Sequence, residues 1–178
     1  MRDWLNSYGG AGVDVKTGDG PYALYYPHAD GRWIGIPVKP YKEEERSLHK
    51  LHAKARFKGV TRHTLAAEQA DMKFHVRYFE IEPGGYTTLE RHNHVHVVIG
   101  KRGTGTVIAG DEVYTLREGD LLIIRGGAPH QLINSSDEPF GFYCIVDADR
   151  DRPRPITRKE LEELSKSNPE ILKIAKVI

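Results

Sequence analysis

The sequence predicts an all-β protein built on an antiparallel barrel or sandwich, with an N-terminal arm and helix before it and short helices after it. Three observations predict this. From about Thr64 to Val146 the chain reads as short β-type runs of roughly five to nine residues, FHVRYFEIE, TLERHNHVHVVI, TVIAG, DEVYTL, LLIIR, QLINSSDEP and FGFYCIVD. Turn signals punctuate them: PGG, GKRGTG, REGD and GGAPH. No helix-period segment intervenes, and regular short strands without crossover helices pair antiparallel.

The elements follow in order. Residues 1–40 are rich in Gly, Pro and aromatics without a sustained helical or strand period, which suits an ordered arm with short strands. YKEEERSLHKLHAKARF, Tyr41 to Phe57, carries acids early and bases late, matching a helix dipole, with Leu48, Leu51, His52 and Ala55 on its apolar stripe. The expected organisation is residues 1–64 as arm and helix packing on the barrel or on a partner subunit, 65–147 as the barrel, and 148–178 as a C-terminal helical extension. In that extension ADRDRPRPI forms a charged, Pro-containing exit. Thr157 with Glu160 then reads as a capping box opening a helix through Leu164, and Asn168-Pro169 opens a second.

Composition excludes several functions. Lys and Arg number 26 against 25 Asp and Glu, a formal net charge of +1, which gives no general reason to expect nucleic acid or membrane surface. No helix-turn-helix pattern precedes the barrel, and KARFKGVTRH is a short basic run. The longest apolar runs are too short to span a bilayer, and MRDWLNSYGG lacks the apolar core of a signal peptide, so a cytoplasmic location is expected. Cys144 is the only cysteine, so any metal must be held by imidazole and carboxylate. The aromatic-rich arm carries more apolar surface than a solvated tail needs, which points to a homodimer.

LERHNHVHVV, Leu89 to Val98, places Glu90, His92, His94 and His96 at alternate positions. A straight strand would point all four to one face but spread them over roughly 20 Å, too far for one ion. The chain must therefore turn or bulge between His92 and His96 if these residues are to converge. His94 at such a turn aims elsewhere and could line the pocket mouth.

Two spaced motifs accompany this stretch. Gly119, Gly127, His130 and Asn134 follow the pattern G(x)5PxG(x)2H(x)3N, with Arg125 where that pattern has proline. Gly84 and Gly103 bracket a second pattern, G(x)5HxH(x)3-4E(x)6G, whose three ligand positions fall on Glu90, His92 and His96. On these motifs the region from about 65 to 147 resembles the cupins, a superfamily of small jelly-roll β-barrels. The order His, His, Glu has become Glu, His, His, an order similar to that of the manganese-binding ureidoglycine aminohydrolases. The resemblance implies a site of Glu90, His92, His96 and His130 holding one divalent transition metal per chain, Fe, Mn, Ni, Co or Zn. His96 rather than His94 keeps the spacing to Gly103, and the choice between them stays open.

The resemblance does not select a reaction, because cupins host many chemistries. The expected function is a metal-dependent enzyme, dioxygenase-like, in which the ion acts as a Lewis acid on a small polar metabolite and His94 or Tyr78 moves a proton. The alternatives are a redox-neutral isomerase or aminohydrolase and a non-catalytic binder of a small ligand. In FHVRYFEIE either Arg77 with Phe79 or Tyr78 with Glu80 faces the interior, and alternation leaves both open. Arg62, His63 and His75 read as solvated or capping residues, Gln131 as a residue that could reach the pocket, and Cys144 as a buried core thiol.

Overall fold

A computed structural model describes residues 57–67 and 71–177 in full, together with short two-residue strands between residues 18 and 40. The chain separates into two compact units, Met1–Ile36 and Pro37–Ile178. The first contains two small antiparallel pairs, β1 (Gly18–Asp19) with β2 (Leu24–Tyr25) and β3 (His28–Ala29) with β4 (Arg32–Trp33). The helix expected over Tyr41–Phe57 lies outside the described residues except for Phe57, which is not helical.

The second unit holds one continuous antiparallel sheet. Its strands are β5 (Lys39–Pro40), β6 (Lys58–Ala66), β7 (Phe74–Tyr86), β8 (Glu90–Arg91), β9 (His96–Arg102) and β10 (Thr104–Ala109). They are followed by β11 (Glu112–Arg117), β12 (Leu121–Ile124), β13 (His130–Ile133), β14 (Phe140–Asp147) and β15 (Arg154–Pro155). Seven of them run in the order β11-β10-β13-β7-β14-β9-β12, with β6 also on β7, β5 on β6, and β8 bridging β13 and β15. This non-sequential order makes the sheet curl on itself, as the all-β expectation required. Strand β6 begins at Lys58 and crosses the expected boundary between residues 64 and 65.

Strand alternation directs the core. Phe79, Ile81, Val98, Phe140, Phe142, Cys144 and Val146 are buried in one apolar cluster with Val107, Leu116, Ile124 and Leu132. Phe79 and Phe142 are direct cross-strand neighbours whose rings stack at 5.3 Å. A second cluster, Leu89, Ile108, Ile133, Ile156, Leu161 and Ile171, lies under the C-terminal extension. The two helices there, Arg158–Leu164 and Pro169–Ile174, begin where expected. The Thr157 side chain accepts from the Glu160 amide and Glu160 reaches back to the Thr157 amide, a complete capping box. Helices this short are marginal alone, so burial of Leu161 and Ile171, about 1.5–3 kcal/mol each, holds them. Among the described residues no helix is long and apolar enough to cross a membrane.

Gln131 and Asn134 prove to be scaffold. The Gln131 amide donates to the Thr87 and Lys176 carbonyls and accepts from the Lys176 amide, tying the C-terminal segment to the sheet. Asn134, fully buried, donates to the carbonyls of Ile81 and Glu138 and accepts from Ser136. Asp120 accepts from the Arg117 amide at 2.7 Å and closes the REGD turn.

Candidate metal centre

The alternation of LERHNHVHVV breaks where convergence requires it. β8 stops at Arg91, residues 92–95 bend, and β9 starts at His96. The GGAPH loop enforces this bend from across the sheet. The Gly127 amide donates to the His92 carbonyl at 2.6 Å, and a Cβ at Gly126 would collide with the Asn93 carbonyl. The Asp151 carboxylate closes the other side, accepting from the Asn93 amide at 2.8 Å and the His94 amide at 3.3 Å.

With the bend in place the donors meet. Glu90, His92 and His130 bring ligand atoms within 4.8 Å of one another, and so do His92, His94 and His96; His92 belongs to both groups. The Nε2 atoms of His92 and His96 are 2.8 Å apart. The His130 ring centroid lies 4.7 Å from that of His92 and 4.9 Å from that of His96. Glu90 faces His130 directly across the β8–β13 ladder, and both are buried. Alternate residues of one strand therefore reach a common point only because the strand is interrupted.

The second nitrogens are also committed. His130 Nδ1 is 3.0 Å from the Ala128 carbonyl and His92 Nδ1 is 3.2 Å from the His94 carbonyl, so each Nδ1–H donates and each Nε2 keeps its lone pair. His96 Nδ1 lies 3.2 Å from Cys144 Sγ. Burial, followed by the neighbouring imidazoles, lowers His92 to about 4 and holds His96 far below the usual histidine range. Neutral rings with inward lone pairs, beside a buried carboxylate, are the donor set a divalent transition metal takes. The residues fit a metal.

His94 occupies a different position. Its ring stacks on His92 at 3.6 Å, nearly parallel, while its Nδ1 is 2.8 Å from Asp151 Oδ1. The hydrogen bond from His94, with those from backbone amides, holds the Asp151 carboxyl at about 2. Asp151 had no sequence signal, sitting in a charged exit run where any acid reads as solvated. Only the return of that run over the 93–94 bend gives it a role.

Tyr78 is not brought into the cluster. Phe79 and Ile81 enter the core, so Arg77 shares the inward face and Tyr78 with Glu80 takes the opposite one. There the Tyr78 hydroxyl donates to Glu80 at 2.8 Å, and its ring meets His63 and Tyr143. Burial and Glu80 raise its pKa strongly, which makes it a poor proton carrier near neutrality. Tyr78, expected as one of two proton carriers, thus lies on the face away from the histidine cluster. His63 is likewise buried rather than solvated, because β6 packs along β7. Cys144 is a buried core thiol as expected; burial outweighs nearby arginines and pushes it up to about 11.

Comparison with known proteins places this geometry. The Cupin domain family matches residues 77–146. The chain is 38% identical over 133 residues to 1-methylthio-D-xylulose 5-phosphate methylsulfurylase of Rhodospirillum rubrum, covering 75% of this chain and 80% of that protein. The chain belongs to the cupin superfamily. Among solved structures, this cupin is similar to a cupin 2 conserved barrel domain protein from Rhodopseudomonas palustris. That match has a TM-score of 0.75 and 37% identity, covering 87% of this chain and 100% of the other. A cupin-2 domain protein from Rhodospirillum rubrum follows at TM-score 0.69 and 33% identity, covering 86% and 95%. The permuted Glu-His-His order sits within this cupin frame.

Proposed function

We propose that this cupin is a metal-dependent enzyme acting on a phosphorylated 1-thio-ketose, in the manner of the methylsulfurylase it resembles. The observation that carries the reading is the 38% identity spread over 133 residues, which takes in the whole Glu-His-His…His constellation and not the barrel alone. This reaction class is neither the dioxygenase first expected nor the isomerase, aminohydrolase or ligand binder weighed beside it.

In this reading Glu90, His92, His96 and His130 hold one divalent ion. They would carry one negative charge without it and one positive charge with it. When bound, such an ion supplies Lewis-acid stabilisation of negative charge on a carbonyl or enolate oxygen, and a 2-ketose has that oxygen beside the carbon bearing sulfur. His94 handles the proton: Asp151 accepts from its Nδ1–H, fixes the tautomer, and leaves Nε2 to take or return a proton. Val98, two residues along β9 from His96, and Ile124, opposite His96 on β12, are buried on the site's face and limit water beside it.

The test incubates full-length protein, loaded in turn with Mn, Fe, Ni, Co or Zn, with 1-methylthio-D-xylulose 5-phosphate and a low-molecular-weight thiol. Loss of the methylthio group, followed by proton and phosphorus NMR, is the expected result. An unchanged substrate with every metal would refute the reading. Substrate-dependent oxygen uptake by iron-loaded protein would establish the dioxygenase in its place, and tight binding without turnover would establish a binder.

We also propose the two-fold dimer in the cytoplasm that the sequence suggested. Its support is the outer strand β12, where Leu121 and Ile123 are each 58% exposed. A monomer by light scattering at micromolar concentration would exclude it.

A further inference from the structure

Three arginines gather on the inward face of the barrel beside the histidines. Cross-strand register orders that face into rows. Thr64, Arg77, Cys144 and Val98 form one row, Arg62, Phe79 and Phe142 the next, and His75 with Val146 the row on the other side. Rows on one face are separated by about 6.5–7 Å, within the span of an arginine side chain. Arg150, just beyond β14, places Nη1 3.0 Å from His75 Nδ1 and 3.1 Å from the carbonyls of Asp147 and Ala148. Arg77 therefore stands in the middle row, with Arg62 in the row on one side and Arg150 against His75 of the row on the other.

This cluster adjoins the metal centre. Cys144, directly opposite Arg77, touches His96 Nδ1 through its sulfur at 3.2 Å. The charges of all three arginines act on the Cys144 thiol, that of Arg77 also on His96, and that of Arg62 on Arg150. Cations crowded at a partly desolvated site repel one another. Among the described residues no carboxylate pairs with Arg62 or Arg150, and the Arg62 Nε–H is buried without a hydrogen-bond partner. Guanidinium groups whose charges all act on one thiol suit the oxygens of a phosphate monoester.

We propose that Arg62, Arg77 and Arg150 form the subsite for the substrate's phosphate group, with the reacting end of the molecule against Glu90, His92, His96 and His130. The assignment deepens the proposed function and rests on it for the identity of the substrate, but not for the anion chemistry. Cys144 is the spacer between the two halves. A short carbon chain lying over it would carry a phosphate at one end and a carbonyl at the other. The arginines position the substrate, and none of them is asked to move a proton.

The experiment titrates full-length, metal-loaded protein by calorimetry with D-xylulose 5-phosphate, D-xylulose and inorganic phosphate. Both phosphate-bearing probes are expected to bind at one site, and D-xylulose about 100-fold more weakly or not at all. Arg62→Gln and Arg150→Gln are each expected to weaken phosphate binding about 10- to 100-fold, with bound metal unchanged. The lysine variants should recover part of the loss. Equal affinity for D-xylulose and its phosphate, or glutamine variants that bind phosphate as tightly as the parent, would overturn the subsite. Arginine-dependent phosphate binding without turnover of the methylthio sugar supports the subsite while refuting the proposed reaction. Turnover whose KM ignores both glutamine variants refutes the subsite alone.

Discussion

Two stretches of this chain, FHVRYFEIE and LERHNHVHVV, each carry titratable side chains at alternate positions, yet they put those side chains to opposite uses. The first lies within one uninterrupted strand, Phe74–Tyr86, and sorts its side chains strictly by parity. Phe79 goes to the core, and Tyr78 with Glu80 to the other face. The second is interrupted after Arg91, and the interruption draws His92, His94 and His96 together. An intact strand separates alternate residues, whereas a broken one can focus them. The lesson concerns nominated residues too. His94 and Tyr78 looked equally able to move a proton, and the bend brings only His94 to the cluster.

The largest expected effect tests the focusing itself. Alanine at His92 or His130 should abolish stoichiometric metal binding measured by elemental analysis. It should also remove the metal-dependent stabilisation, about 2.7 kcal/mol when free metal is 100 times its dissociation constant. Retention of metal by either variant would show that the convergence serves packing. Next comes the clasp over the bend. Asp151→Asn leaves the metal ligands in place but weakens the partner that orients His94, so turnover should fall about 10- to 100-fold at unchanged metal content. A loss of metal together with activity would mean that Asp151 shapes the ligands and not the proton path.

Acid should act on the focused stretch specifically. His92 titrates near 4 in the folded protein against an ordinary 6.5, so below pH 6.5 the unfolded chain takes up a proton that the folded chain refuses. Its stabilising contribution is complete above about pH 6.5 and is lost as pH falls through the window down to about 4. His96 is shifted in the same direction and extends the loss. Thermal melts of metal-free protein across this range should show the decline, and His92→Gln should flatten it; an identical slope in the variant would contradict the assignment. The smallest effect belongs to the straight strand. Tyr78→Phe removes one hydrogen bond to Glu80, a loss of about 1 kcal/mol in denaturant melts, with metal content and turnover unchanged. A marked fall in turnover would return Tyr78 to the site.

Much of the barrel could be read from residues alone because its signals are local. Turn residues at Gly84, Gly103, Gly119 and Gly127 all adopt positive φ, and the capping box at Thr157 forms as spaced. The members of the Glu-His cluster were legible for a similar reason: glycines at fixed separation set which residues flank the bend. Arg62, Arg77, Arg150 and Asp151 were not legible, because each carries an ordinary surface-type side chain in a segment without a distinguishing spacing. What makes them notable is the company they keep across the sheet.

By itself the order of amino acids determined the fold class, most strand starts between Phe74 and Phe140, both C-terminal helix starts and the inventory of one carboxylate and three imidazoles. These depend on backbone preferences and periodicities spanning a few residues. Only the tertiary structure decided which face of β7 turns inward, where the His92–His96 bend is clasped, and that Arg77 stands opposite the Cys144 thiol that touches His96. Those outcomes depend on register between strands far apart in the chain, where a shift of one residue would exchange every inward side chain for an outward one.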